Sequence, residues 1–167
     1  MLYFSSPIET TLAPVVVVPV SLTGTIPPNS LQWKYLQRFG AKYEMEFLDD
    51  IQNRLVDAAS PGMFQDEAEQ PLLLHIAVEG VDGSTVLLEN ILASMREVVG
   101  FVTRHPQTSS AIAIGPLGDA YSWETIEGIC ERLEYIYGDK GVEFWMYPPL
   151  VDLEDEEAEI AEVEVTV

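Results

Sequence analysis

The chain has a single cysteine, Cys130, among 167 residues, so no internal disulfide can form and a small disulfide-held scaffold is excluded. Bases are almost as scarce. Eight Lys and Arg stand against 28 Asp and Glu, a formal charge of −20. Phosphate contacts need Lys and Arg, so direct nucleic-acid binding is disfavoured, and an anionic membrane surface repels the chain equally. No apolar run reaches the roughly 18 residues that span a bilayer. The stretch Ala13–Leu22 is short and interrupted by Pro14 and Pro19. The first basic residue is Lys34, so the basic segment of a secretory signal is missing and a cytoplasmic location is expected.

Apolar residues make up 47% of the chain, enough for a folded core at this length. The charge is uneven. Residues 152–167 hold eight acids and no base, leaving twenty acids against eight bases in the rest. This divides the chain into one α/β domain over 1–151, opening with an apolar strand-rich segment over 1–29, and an acidic tail over 152–167.

The elements follow from period and punctuation. Leu2–Phe4 and Val15–Val20 read as strands, and Pro14 and Pro19 suggest an edge strand or irregular ends. Ser30 caps a helical pattern that runs to about Ala59, with Gly40 as a break. Leu72–Glu79 reads as a buried strand, and Asp82-Gly83-Ser84 as a turn whose serine caps the next helix. That helix stops at Pro106. Ser110–Ile114 and Val142–Tyr147 read as strands around a helix capped by Ser122. The order predicts a β-α-β-α-β core with a mostly parallel sheet flanked by helices. Its three strands stand side by side, and the N-terminal strands extend the sheet, antiparallel in direction.

Candidate chemistry gathers after the strands. In an open parallel sheet ligands bind beyond the carboxyl ends of strands. Glu79 and Asp82 follow one strand and Asp119 follows the next, so these three carboxylates are candidates to hold Mg²⁺ or Mn²⁺ in a phosphoesterase or nuclease-like enzyme. The phrase Ile76–Ser84 resembles the opening of the phosphate loop of thymidylate-kinase-like proteins. It continues Thr85-Val86-Leu87 where that loop has Gly-Lys-Ser/Thr, so the phosphate-binding lysine is missing. Glu79-Gly80 resembles the first motif of toprim nucleases, and Asp82-Gly83-Ser84 is similar to the Asp-Ser pair of STAS domains. His75 in mid-strand and His105 at a helix end are read as structural, and Cys130 as a buried thiol.

Trp33, Tyr35, Phe39 and Tyr43 crowd one helical region with Lys34, Arg38 and Lys42, the one basic cluster of the chain. Aromatics and Arg are enriched at interface hot spots. Trp33, Tyr35, Arg38, Phe39 and Tyr43 are therefore expected to form a partner surface, with the acidic Asp152, Glu154, Asp155, Glu156 and Glu157. The leading expectation is a non-enzymatic regulatory module that binds a basic protein, in one version as a nucleic-acid mimic. The metal-dependent enzyme is the first rival. A structural subunit with terminal strands exchanged in a homo-oligomer is the second. No cofactor is expected.

Overall fold

The computed structural model describes residues 1–105, 111–119 and 121–150. Six strands and four helices alternate along them. The strands are β1 (Leu2–Tyr3), β2 (Val15–Ser21), β3 (Gly62–Phe64), β4 (Leu72–Glu79), β5 (Ala111–Ile114) and β6 (Glu143–Met146). The helices are α1 (Leu31–Phe39), α2 (Ala41–Gln52), α3 (Leu88–Arg104) and α4 (Trp123–Tyr137). The strands form one sheet in the order β1-β6-β5-β2-β4-β3. Every neighbouring pair is parallel except β3 with β4. The α/β class with a mostly parallel sheet is as expected.

Two expectations about the sheet are corrected. The N-terminal strands are parallel to their neighbours, not antiparallel. The strands β4, β5 and β6 are not side by side either, because β2 lies between β4 and β5. The reason is burial. Val15, Val16, Val17 and Val18 are fully buried, so both faces of β2 need cover, and only an interior position gives that. Helix caps fall where the residues put them. Ser30 Oγ accepts from Trp33 N at 3.1 Å, and Ser122 Oγ from Thr125 N at 3.2 Å. Gly40, at φ +75°, divides α1 from α2. Ser84 does not cap α3. Thr85 bridges back to Glu79 and Val86 N donates to Val78 O, which delays the helix to Leu88. Pro106 and Ser110 lie outside the described residues.

Beneath α1 and α2 the core contains a histidine. His75, in mid-β4, is fully buried, and its Nε2 lies 2.8 Å from the Tyr43 hydroxyl of α2. The rings of Tyr43 and Phe47 meet it edge-on at 5.6 and 5.5 Å. Burial pushes the imidazole from 6.5 down to about 4, so it is neutral at pH 7. The unfolded chain therefore binds a proton that the folded chain refuses between those two values. Stability from this site is full above pH 6.5 and falls as pH drops towards about 4. The loss is about 3 kcal/mol. Urea denaturation of wild type and the His75→Leu/Tyr43→Phe double variant, at pH 7 and pH 4.5, reads it. The wild type is expected to lose more stability than the double variant, and equal losses would contradict this account.

Candidate functional site

The topology marks one place on the sheet. After β2 the chain crosses through α1, α2 and β3 to the β4 side. After β5 it crosses through α4 to β6 on the other side. Connections that diverge from neighbouring strands leave a crevice between their carboxyl ends. A proline stands on its β2 wall. Leu72 N donates to Pro14 O and Leu22 N to Glu79 O, so even-numbered residues of β2 aim their amides at β4 and odd-numbered ones at β5. Pro19 is odd and has no N–H. The β2–β5 pairing stops at Val16↔Ala113, so the missing donor falls where β5 has already left.

Three loops rim this crevice. The loop over 22–30 begins at an irregularity between Val20 and Ser21. Ser21 Oγ donates to Glu79 Oε1 at 2.7 Å and lies 2.7 Å from Thr23 Oγ1. The Thr23 and Thr25 hydroxyl oxygens are 3.1 Å apart. In the loop over 80–87, Asp82 Oδ1 accepts from Ser84 N at 3.0 Å and Ser84 Oγ at 2.6 Å. Those bonds hold its carboxyl below the usual range, so it stays ionised. The third loop runs Gly115-Pro116-Leu117-Gly118. Leu117 anchors it at 1% exposure, and Gly118 takes φ +72° with Val78 of β4 beside it. Among the described residues the amides of Gly118 and Asp119 have no acceptor. Tyr121 OH donates to Val86 O and ties this loop to the previous one.

Beside the crevice is a cavity of about 270 Å³ at the ends of β1, β5 and β6, lined among others by Pro7, Ile8, Lys34, Pro116, Tyr147 and Pro148. Tyr147 stacks on Phe4 at 4.9 Å and donates to Thr11 Oγ1 at 2.7 Å. Lys34 Nζ brings the cation, 2.7 Å from Glu9 Oε1. Gly115 packs closely behind two of its lining residues, since a Cβ there would lie 3.4 Å from Tyr147 O and 3.5 Å from Ile8 Cδ1.

The residues expected from sequence land differently. Glu79 does sit at the crevice. Asp82 is turned onto its own loop, and Asp119 is exposed on the third. Among the described residues no group of three His, Cys, Asp or Glu side chains can hold a metal ion, so Glu79, Asp82 and Asp119 do not make the expected cation site. The aromatic cluster is mostly core. Tyr35 and Tyr43 are buried, Phe39 packs on Tyr35 and Phe64, and Trp33 is half-buried. Arg38 is exposed, lies over the Phe39 ring and donates to Gln70. Sequence spacing could not separate an inward stripe from an outward one here, because Gly40, at φ +75°, interrupts the helical period between α1 and α2. Asp152, Glu154, Asp155, Glu156 and Glu157 lie outside the described residues. Cys130 is buried, and that burial pushes its thiol up. The hydroxyl series Ser21, Thr23, Thr25 and the Gly115/Gly118 loop were missed; a Ser-x-Thr-x-Thr run after a strand and a Gly-x-x-Gly after another were the available signals.

No family model matches the chain, and no curated protein sequence matches it. Solved structures do. The macrodomain of Mycobacterium tuberculosis DarG superposes with a TM-score of 0.73 at 16% identity, over 89% of this chain and 97% of that one. The macrodomain of Thermus aquaticus DarG gives 0.68 at 14%, over 89% and 97%. Thermosipho africanus DarTG in complex with ADP-ribose gives 0.68 at 11%, over 89% of this chain and 41% of that one. The fold is macrodomain-like.

This likeness overturns the reading of the chain as a non-enzymatic acidic module for a basic protein partner, as a nucleic-acid mimic or as a structural subunit. It also displaces the phosphoesterase reading and the phosphate-loop, toprim and STAS resemblances. Two of these neighbours are macrodomains, and a third, of which this chain matches 41%, was solved in complex with ADP-ribose. The short motifs misled because turn chemistry alone builds Asp82-Gly83-Ser84. No helix among the described residues is long and apolar enough to cross a membrane.

The Gly118 conformation tests the rim. Gly118→Ala forces a Cβ onto φ +72°, with space for it but a strained backbone. A loss of about 1–2 kcal/mol is expected by chemical denaturation. A variant as stable as wild type would mean that the loop relaxes freely.

Proposed function

We propose that this chain binds ADP-ribose, or a group that ends in it, across the carboxyl edge of the sheet. The observation that carries the reading is the macrodomain-like fold, shared with a chain solved in complex with ADP-ribose, together with a crevice at the sheet's switch point and a cavity beside it. The parts suit the ligand. The proline- and tyrosine-lined cavity accepts a flat base. The open amides of Gly118 and Asp119 lead to the capped start of α4, and such amides and helix starts favour a diphosphate. Lys34 adds a cation at the cavity wall. The crevice between β2 and β5 takes the remaining ribose. The single buried thiol suits a reducing compartment, and the cytoplasm is the compartment we assign.

Isothermal titration of the full chain with ADP-ribose tests this. Saturable one-to-one binding is expected, and Lys34→Glu should weaken it about tenfold, which is about 1.4 kcal/mol. The salt dependence has an unusual sign. A chain of charge −20 repels an anionic ligand at long range, so affinity should rise as ionic strength goes from 10 to 150 mM. Absence of any binding heat at millimolar ADP-ribose would overturn the proposal.

A further inference from the structure

A second cavity, of about 360 Å³, lies at the amino ends of β2 and β4, where Pro14 and Pro71 immediately precede the two strands. The ADP-ribose reading leaves it unused. Its lining divides by chemistry. Leu12, Pro14, Ala68 and Pro71 are apolar, while Arg38, Gln65 and Gln70 bring N–H donors. The donors are held in place. The Arg38 guanidinium lies over the Phe39 ring, 5.0 Å from its centroid, and donates through Nη2 to Gln70 Oε1. Gln65 Nε2 donates to Gln70 O at 2.9 Å and Gln70 N to Glu67 O at 2.9 Å, which pins the loop that carries them. A carboxamide that turns its oxygen to a guanidinium keeps both of its N–H bonds for other acceptors. Among the described residues Gln70 Nε2 and the Leu12 amide have no acceptor, and no carboxylate pairs with Arg38. Leu12 is 91% exposed, an apolar lining side chain without cover.

We infer that this cavity is a second binding site, for a small organic acid with one carboxylate on a compact apolar body. The planar guanidinium fork matches a carboxylate and can meet it with two parallel N–H···O bonds. Stacking on Phe39 and the bond to Gln70 fix the fork before a ligand arrives, so little side-chain freedom is lost on binding. Charge selects the anion. Arg38 is the one cation of the lining and Glu69 its one acid, within a chain of −20. A monoanion suits that balance, and a phosphate dianion does not. Leu12, Pro14, Ala68 and Pro71 take the apolar body, and covering Leu12 adds to affinity. Lys34, one helical turn before Arg38 on α1, lines the cavity at the ends of β1, β5 and β6, so each cavity has its own cation.

Titration of the isotope-labelled full chain with hydrocinnamate, followed by backbone amide NMR shifts, tests this. Saturable shifts are expected at Leu12, Gln65 and Gln70, with a Kd of about 1 mM. Hydrocinnamamide, the uncharged isostere, and inorganic phosphate should give none. Arg38 is exposed, so Arg38→Met should leave Tm unchanged and weaken binding about tenfold. Arg38→Lys keeps the charge and loses the fork, so it should restore only part of the affinity. Ala68→Trp fills the cavity with Arg38 intact and should abolish binding. Saturating ADP-ribose should leave the hydrocinnamate Kd unchanged. Absence of saturable shifts, equal binding of the amide or of phosphate, or wild-type affinity in Arg38→Met or Ala68→Trp would each overturn the inference. Displacement of hydrocinnamate by ADP-ribose would overturn it too, by placing the acid in the crevice.

Discussion

The parallel ladder between β2 and β4 is the constraint on which the rest of the molecule depends. It runs the full length of both strands, from Val15↔Leu72 to Ser21↔Glu79. It joins the two strands whose apolar side chains need cover on both faces, so helices must lie on each side of the sheet. It also leaves β2 with a second edge that is only briefly used. There β5 pairs for two residues and departs at Val16, before the chain reaches Pro19, which has no donor to offer. The crevice at the carboxyl edge is a product of that interrupted edge. A strand that paired fully on both sides would bring the β2 and β5 loops together and close it.

Polar groups inside the helical layer are the counterpart of that crevice. The pair Tyr43–His75 places a hydrogen bond within an otherwise aromatic and aliphatic core. His75 Nδ1 and both amide atoms of Gln32, in the first turn of α1, are buried without a partner. Buried polar groups of this kind cost stability. They are tolerated in a layer where Phe39, Phe47 and Phe64 supply extensive apolar contact.

Much of the fold was legible because period and punctuation agreed. Leu72–Glu79 is a continuous apolar run closed by Gly80, and Ser30 and Ser122 precede apolar helical stripes, so strand and helices fell in place. The position of β2 was not legible. Prolines at 14 and 19 signal an edge, and only the pairing partners reveal that the Pro19 nitrogen faces a gap. The candidate site was read in part. Glu79 followed from the rule about strand ends. The convergence of Asp82 and Asp119 with it did not, because spacing along the chain says nothing of where a turn aims its side chains. The partner surface failed for a related reason. Trp33 to Tyr43 spans a glycine hinge, and beyond it the helical face that meets the sheet is reset.

The arrangement of the sheet's outer edge has a kinetic consequence. Among the described residues strand β1 pairs only with β6, and the Tyr147 hydroxyl closes on Thr11 across 136 residues of chain. Such contacts carry a high loop-closure entropy until the intervening strands are in place. A chain emerging from the ribosome therefore holds its first strand unpaired throughout synthesis of the domain. Pairing at the β1 edge has to wait for β6, the last of the described strands along the chain.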